Sequence, residues 1–223
     1  MTGSLLTATP APRAAGPRRS ADGRLRLLAA AEQLLATGGL GVPNREIVAA
    51  AGQRNRSAIT YHFASRAGLI AAVREQHEVP VAEHREHLIA RLPGPAARTT
   101  RQLVEAHVRP VVAEMLRCAP SSWARLSEVL QAEEPPAGPA AAGLPSLMAA
   151  HLDHLPRPEA AGRVALTLRF LDSGLARWER ERDLGGDAPL APYALTLTDL
   201  AVAMLDAGRV IVHRRATPER QGG

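Results

Sequence analysis

Leu27, Leu28, Ala31, Leu34 and Leu35 fall at i, i+1, i+4, i+7 and i+8, one face of an amphipathic helix that Gly38-Gly39 brings to a stop. Ile47, Val48 and Ala51 mark the buried side of a second helix, with Asn44 as its N-cap or Pro43 in its first turn. Gly52 supplies a turn. Asn55 or Ser57 then caps a third short helix in which Ile59 and Phe63 share a face. A fourth helix begins at Ser65 and runs to about Leu92, and Pro80 is expected to bend or split it.

Pro93-Gly94-Pro95 breaks the chain, and Leu103, Val104, His107, Val111, Met115 and Leu116 mark a further helix containing Pro110. Short helices follow around Trp123–Leu130 and Leu147–Leu155, separated by EEPPAGPAAAGLP, which reads as irregular. Val164, Leu168, Leu171, Leu175 and Trp178 form a heptad seam along residues 159–182. In the final helix Leu197, Leu200, Met204, Ala207 and Ile211 form one seam, and Ala201, Leu205, Gly208 and Val212 a second beside it. No stretch alternates with period two. The pattern predicts an all-α chain: a three-helix helix-turn-helix domain (residues 22–66) and a larger helical domain (67–215), with an N-terminal arm (1–21) and a tail (216–223).

The C-terminal seams can serve the chain's own core or a second copy. Their width favours a homodimer joined through Val164, Leu168, Leu171, Leu175 and Trp178 with Leu197, Met204, Leu205, Gly208, Ile211 and Val212. Gly208, lacking a side chain, is expected to permit a close crossing in mid-helix.

Charge sharpens the division. Every lysine-or-arginine position is Arg; residues 1–66 hold nine Arg against three acids, a net of +6, while the remaining residues hold eighteen against nineteen, a net of −1, giving the chain's +5. A basic head on a neutral body fits a nucleic-acid partner. The lone Cys118 excludes an intramolecular disulfide and fits a reducing cytoplasm. No apolar run reaches the roughly 20 residues of a membrane span, so no membrane partner is expected.

The chemistry of the head lies in residues 44–66, NREIVAAAGQRNRSAITYHFASR. Arg54, Asn55, Arg56, Ser57, Ala58 and Thr60 lie on or before the face that would enter a major groove. An Arg there can bond guanine bidentately, while Thr60 or Ala58 can meet a thymine methyl. Phosphate contact is the alternative for Arg54 and Arg56, and the expected role of Arg45. Tyr61 and His62 close the recognition helix where a hydroxyl and a ring N–H can donate to phosphates, and Arg66 stands where a second phosphate would pass. Phe63 is expected to pack inward.

Residues 24–70 resemble the DNA-binding domain of the TetR family of bacterial transcriptional regulators. The match is carried by Arg24, Leu27-Leu28, Ala30-Ala31, Leu34-Leu35, Gly39, Glu46-Ile47, Ala51-Gly52, Tyr61-His62-Phe63, Arg66 and Leu69. Arg66 replaces the family's usual Lys, which keeps the charge. The resemblance implies a dimeric, ligand-responsive repressor on a palindromic double-stranded operator. An effector pocket is expected between the fourth helix and those from about residue 100 to 178, among Leu88, Val104, His107, Val108, Val111, Met115, Trp123, Leu126 and Phe170. This mostly aliphatic lining suggests a small apolar or amphipathic molecule, with plain core as the alternative for each side chain. Glu83-His84-x-Glu86-His87 and His151-x-x-His154 lack a third ligand, so neither metal nor cofactor is expected. No nucleophile elbow or phosphate loop points to an enzyme. A helical enzyme or interaction protein using the helix-turn-helix as scaffold is the alternative.

Overall fold

The computed structural model describes residues 17–55, 57–133 and 143–208. All regular structure among them is helical: α1 Pro17–Gly38, α2 Asn44–Ala50, α3 Ala58–Phe63, α4 Arg66–Ala90, α5 Thr100–Arg117, α6 Trp123–Glu133, α7 Leu144–His151, α8 Arg157–Asp183 and α9 Leu190–Asp206. The all-α reading is right. Helix α1 opens at Pro17, inside the stretch assigned to the arm.

Two apolar cores organise these helices. The first joins Leu27, Leu28, Ala31 and Leu35 of α1, Ile47 and Val48 of α2, Ile59 and Phe63 of α3, and Leu69 and Val73 of α4. Trp123, Leu126 and Leu130 of α6 complete it. The second lies among α5, α7, α8 and α9, around Leu103, Met115, Met148, Leu171, Leu175, Ala201 and Leu205. Helix α4 leaves the first core and runs alongside the second, while α6 packs between α1 and α8.

Several local expectations need correcting. Helix α4 is unbroken through Pro80, although that proline has no N–H for the carbonyl one turn earlier. Pro43, not Asn44, is the N-cap of α2, with no side-chain bond. Ser57 is the N-cap position of α3, one of the two residues expected there, but without a side-chain cap bond; Asn55 Oδ1 accepts from the Ser57 backbone N–H at 2.9 Å in a tight turn just before the helix. The stretch read as irregular after α6 yields Leu144 and Pro145 to α7.

The largest correction concerns the C-terminal seams. Val164, Leu171, Leu175, Leu197 and Leu205 lie inside the chain's own second core, and Leu168 and Trp178 pack against it. The α8 seam and the Ala201–Leu205 side of α9 therefore have their partner in the same chain, while Leu200 and Ala207 of the other α9 seam remain exposed. Met204 is half-buried. Helix α9 ends at Asp206, so Gly208 lies beyond it with φ +93° and does not sit in mid-helix. The close approach of α8 and α9 falls at Gly174, where a Cβ would stand 2.7 Å from a methyl of Leu197. Ile211 and Val212 lie outside the described residues.

Candidate nucleic-acid interface

The head is built by local chemistry at each joint. Gly39 ends α1 with φ +73°, and Gly52 turns the chain between α2 and α3 with φ +64°. Arg26 of α1 donates from Nε to the Ala51 carbonyl at 3.2 Å, which fixes the C-terminal end of α2. Arg24 lies over the Phe63 ring, 5.2 Å from its centroid. Between α3 and α4 the Ser65 N–H donates to the Phe63 carbonyl at 2.7 Å, a γ-turn centred on Ala64 at φ 62° and ψ −35°. Ser65 then caps α4 by accepting from the Gly68 N–H at 3.0 Å. A Cβ at Gly68 would stand 2.0 Å from the Phe63 carbonyl oxygen, so the two helices meet there backbone to backbone.

These joints leave one side of the head open. Ile59 and Phe63 are buried, while Thr60 and Tyr61 point out, Tyr61 with 73% of its surface exposed. Arg54, Asn55 and Ser57 are exposed in the turn, and Arg45 stands out at the start of α2, 3.7 Å from Glu46. His62 is half-buried, its ring against Tyr61 edge-on at 4.8 Å and close to Gly23 of α1. Arg56 lies outside the described residues.

Two of the expected contacts are placed otherwise. Ala58 is buried, with 4% exposure, so its methyl belongs to the core and cannot meet a base. Arg66 donates from one terminal nitrogen to the Leu40 carbonyl and from the other to Asn44 Oδ1, both at 2.6 Å. Its guanidinium ties α4 to the loop before α2, and the planar fork suits two acceptors at once. Asn44 is thus the partner of Arg66 and not a helix cap. The sequence spacing of 22 residues gave no sign of this pair.

In the body, a cavity of about 340 Å³ opens among α4, α5, α6 and α8, lined by Glu78, Val81, Arg85, His107, Val111, Trp123, Ser127, Gln131, Asp172 and Leu175. Of the expected lining, His107, Val111 and Trp123 are there. Val104, Val108 and Met115 are buried in the second core, and Leu88 and Phe170 pack on it. Leu126 belongs to the first core. The cavity is more polar than the sequence implied: His107 Nε2 lies 2.8 Å from Asp172 Oδ1, and Gln131 donates to Asp172 Oδ2 at 3.4 Å. Burial lowers the Arg85 pKa against the opposing charges of Asp172 and Glu78. The polar lining comes from Glu78, Arg85, Gln131 and Asp172, none of which was among the expected lining residues.

Beneath the head lies a cluster the sequence did not announce. His77 of α4 is fully buried and stacks on Trp123, ring centroids 4.7 Å apart. Its Nδ1 lies 2.7 Å from Glu114 of α5, and its Nε2 3.0 Å from Glu32 of α1. Burial disfavours the imidazolium, but the bonds and charges of Glu32 and Glu114 outweigh it and raise the His77 pKa above its ordinary value. Glu32 also accepts from the Ser122 N–H at 3.1 Å. Arg117 grips both oxygens of Glu114, at 2.5 and 2.7 Å, and holds that carboxyl below the usual range against its burial.

No family model and no curated protein matches this chain. Among solved structures it is similar to a transcriptional regulator from Rhodococcus sp. Rha1, at 22% identity, covering 83% of this chain and 96% of that one with a TM-score of 0.44. A Rhodococcus sp. RHA1 protein of unknown function shares 20% identity over 81% and 93% of the two chains, with a TM-score of 0.43. The multidrug binding protein EbrR, solved with imidazole, shares 23% identity over 87% and 97%, with a TM-score of 0.39. At this distance none of them assigns a family or an activity. No described helix is long and apolar enough to cross a membrane.

Proposed function

We propose that this chain is a DNA-binding transcriptional regulator of the TetR type, a repressor whose residues 22–66 read a palindromic operator. One observation carries the reading. A positive-φ glycine turn delivers a short helix with one face in the core and Thr60 and Tyr61 exposed on the other, in a head where Arg45 and Arg54 are exposed too. An α-helix held this way by a basic head fits a major groove. Tyr61, Arg45 and His62 are assigned to phosphates, and Arg54, Arg56, Asn55, Ser57 and Thr60 to the groove face. Arg66 acts through the joint it clamps.

The body, residues 67–215, is assigned to the effector and to dimerisation. The cavity between α4, α5, α6 and α8 takes the effector, and its mixed lining suits an amphipathic molecule with a polar group opposite Arg85 or Asp172. A ligand that prefers one spacing of two heads shifts the equilibrium between bound and released states. The homodimer is assigned to the outer faces of α8 and α9, where Leu166 and Leu200 are 70% and 50% exposed.

Selection from random duplexes with the purified chain tests the reading. The expected product is a two-fold symmetric site bound with steep salt dependence. Arg45→Ala should weaken all duplexes alike and reduce the salt slope by about one. Recovery of no enriched sequence would overturn the reading. Leu200→Glu, read by light scattering after size exclusion, should give a folded monomer. A wild-type chain that already runs as a monomer at micromolar concentration would remove the dimer.

A further inference from the structure

Glu114 and Cys118 stand one turn apart at the end of α5, and His77 of α4 faces both. The ligand-type atoms of these three side chains all lie within 4.8 Å of one another, with Cys118 Sγ 3.5 Å and His77 Nδ1 2.7 Å from the same Glu114 oxygen. We propose that His77 Nδ1, Glu114 Oε1 and Cys118 Sγ form a binding site for a divalent transition ion of the zinc class.

The donor set is a mixture of imidazole, carboxylate and thiolate that such ions accept, and bond lengths of about 2.0–2.3 Å ask for ligand separations near 3.3–3.8 Å. To reach that range Glu114 Oε1 would draw back from His77 Nδ1, while Cys118 Sγ already stands 3.5 Å from the same oxygen. The other face of the imidazole is already prepared. Nε2 is held 3.0 Å from Glu32, the carboxylate partner that commonly orients a metal-bound histidine and fixes its tautomer. Stacking on Trp123 holds the ring plane. Arg117, whose side chain is 54% exposed, can keep Glu114 Oε2 while releasing Oε1 to the ion. An open cavity of about 650 Å³, lined by Glu32, Gln76, Cys118, Pro120 and Ser122, gives solvent access to Cys118, and a fourth, water ligand would come from that solvent.

Charge balance allows the exchange. Without an ion, both ring nitrogens of His77 face carboxylates, so the imidazolium and Arg117 offset Glu32 and Glu114, and the thiol is neutral. Burial and Glu114 hold that thiol protonated, its pKa pushed up to about 11. A divalent ion takes the place of two protons, one from His77 Nδ1 and one from Cys118, which leave to solvent, and the net charge of the cluster is unchanged.

The test is a Co²⁺ titration of the full chain, stripped with chelator, followed by optical spectroscopy. Cys118 is the chain's single cysteine, so any thiolate-to-cobalt charge-transfer band reports it. The expected result is one equivalent per chain, a thiolate band with tetrahedral d–d absorption, and full displacement by Zn²⁺. Cys118→Ser should remove the band while leaving the helical circular dichroism intact. Glu32→Gln should weaken Co²⁺ about ten-fold or more with the band retained, because it alters the orienting shell and not a ligand. Absence of the band in the wild-type chain overturns the proposal, as does saturation at half an equivalent, which would place the ion between the cysteines of two chains. An unchanged Co²⁺ affinity in a folded Glu114→Gln variant also overturns it. None of these readouts requires DNA, so they stand apart from the regulatory reading.

Discussion

The head and the body reach their folds by different means. In the head, short helices meet at turns fixed by single residues, Gly39, Gly52 and Ala64 at positive φ and Gly68 against a carbonyl, and two arginines tie side chain to backbone across the joints. In the body, long helices pack side by side, and the polar groups that specify them are buried: Glu179 accepts from the Arg125 N–H at 3.0 Å, and Arg125 meets Asp183 at 2.6 Å. The head is nonetheless incomplete alone. Its core is closed by Trp123, Leu126 and Leu130, which the chain supplies from α6 more than 30 residues after α4 ends. Short helices gain most of their stability from packing, so a head without α6 lacks what it needs.

Excision is the severest way to break this contrast. Residues 17–92 alone should show residual helix but no cooperative thermal transition by circular dichroism, while the full chain melts cooperatively. Within the full chain, Trp123→Ala should cost about 3–5 kcal/mol by chemical denaturation, since it opens the head core and removes the ring that covers His77. A sharp transition in the excised head would show that α6 only covers a fold complete without it.

Two glycines separate the head from the body next. At Gly68 an added Cβ meets the Phe63 carbonyl oxygen at 2.0 Å, a backbone atom that moves only if α3 moves. At Gly174 it meets the methyls of Leu197 at 2.7 and 2.8 Å, the far end of a side chain that can turn aside. Gly68→Ala should therefore cost ~3 kcal/mol and Gly174→Ala ~1 kcal/mol, the upper and lower ends of overpacking. Equal losses in urea titrations would mean that α8 and α9 are as rigidly set as the head joint.

This contrast also accounts for what could be read from sequence. The head's helices, its Gly52 turn and the inward Phe63 were legible because each follows from residues within one or two turns of each other. The Arg66–Asn44 pair and the Glu32–His77–Glu114 cluster were not, because they join residues 22 to 45 positions apart whose types say only that they are polar. The α8–α9 seams were located correctly as apolar stripes. Periodicity states that a stripe is covered and not by which chain, so Leu171 and Leu175, fully buried at home, were assigned to a partner. The cavity was legible in part, through His107, Val111 and Trp123, while its polar lining, Asp172 and Gln131 among it, was not expected.

Arg66 and Arg45 offer a finer probe within the head, since both were assigned to phosphate and only one is free to serve it. Arg66→Ala removes two charge-assisted bonds and should cost about 1.5–3 kcal/mol of stability. Arg45→Ala, at a side chain 79% exposed, should leave the denaturation midpoint unchanged. Restoring part of the loss with Arg66→Lys would show that one acceptor, the Leu40 carbonyl, carries most of the clamp. An unaltered midpoint in Arg66→Ala would return that residue to the phosphate role.

The smallest expected effect lies at Ala64, the pivot of the γ-turn between α3 and α4. Its φ of 62° with ψ −35° is a conformation that a Cβ resists, at a cost of order 1–3 kcal/mol. Glycine there removes the resistance but gives the unfolded chain more freedom to lose, about 0.4–1 kcal/mol. The two terms oppose each other, and the first is larger. Ala64→Gly should therefore stabilise the chain by roughly 1 kcal/mol, seen as a higher denaturation midpoint with an unchanged slope. The sign is informative because the alternative turn geometry, with Ala64 relaxed to negative φ, would make the same substitution destabilising and would re-aim α4 relative to α3.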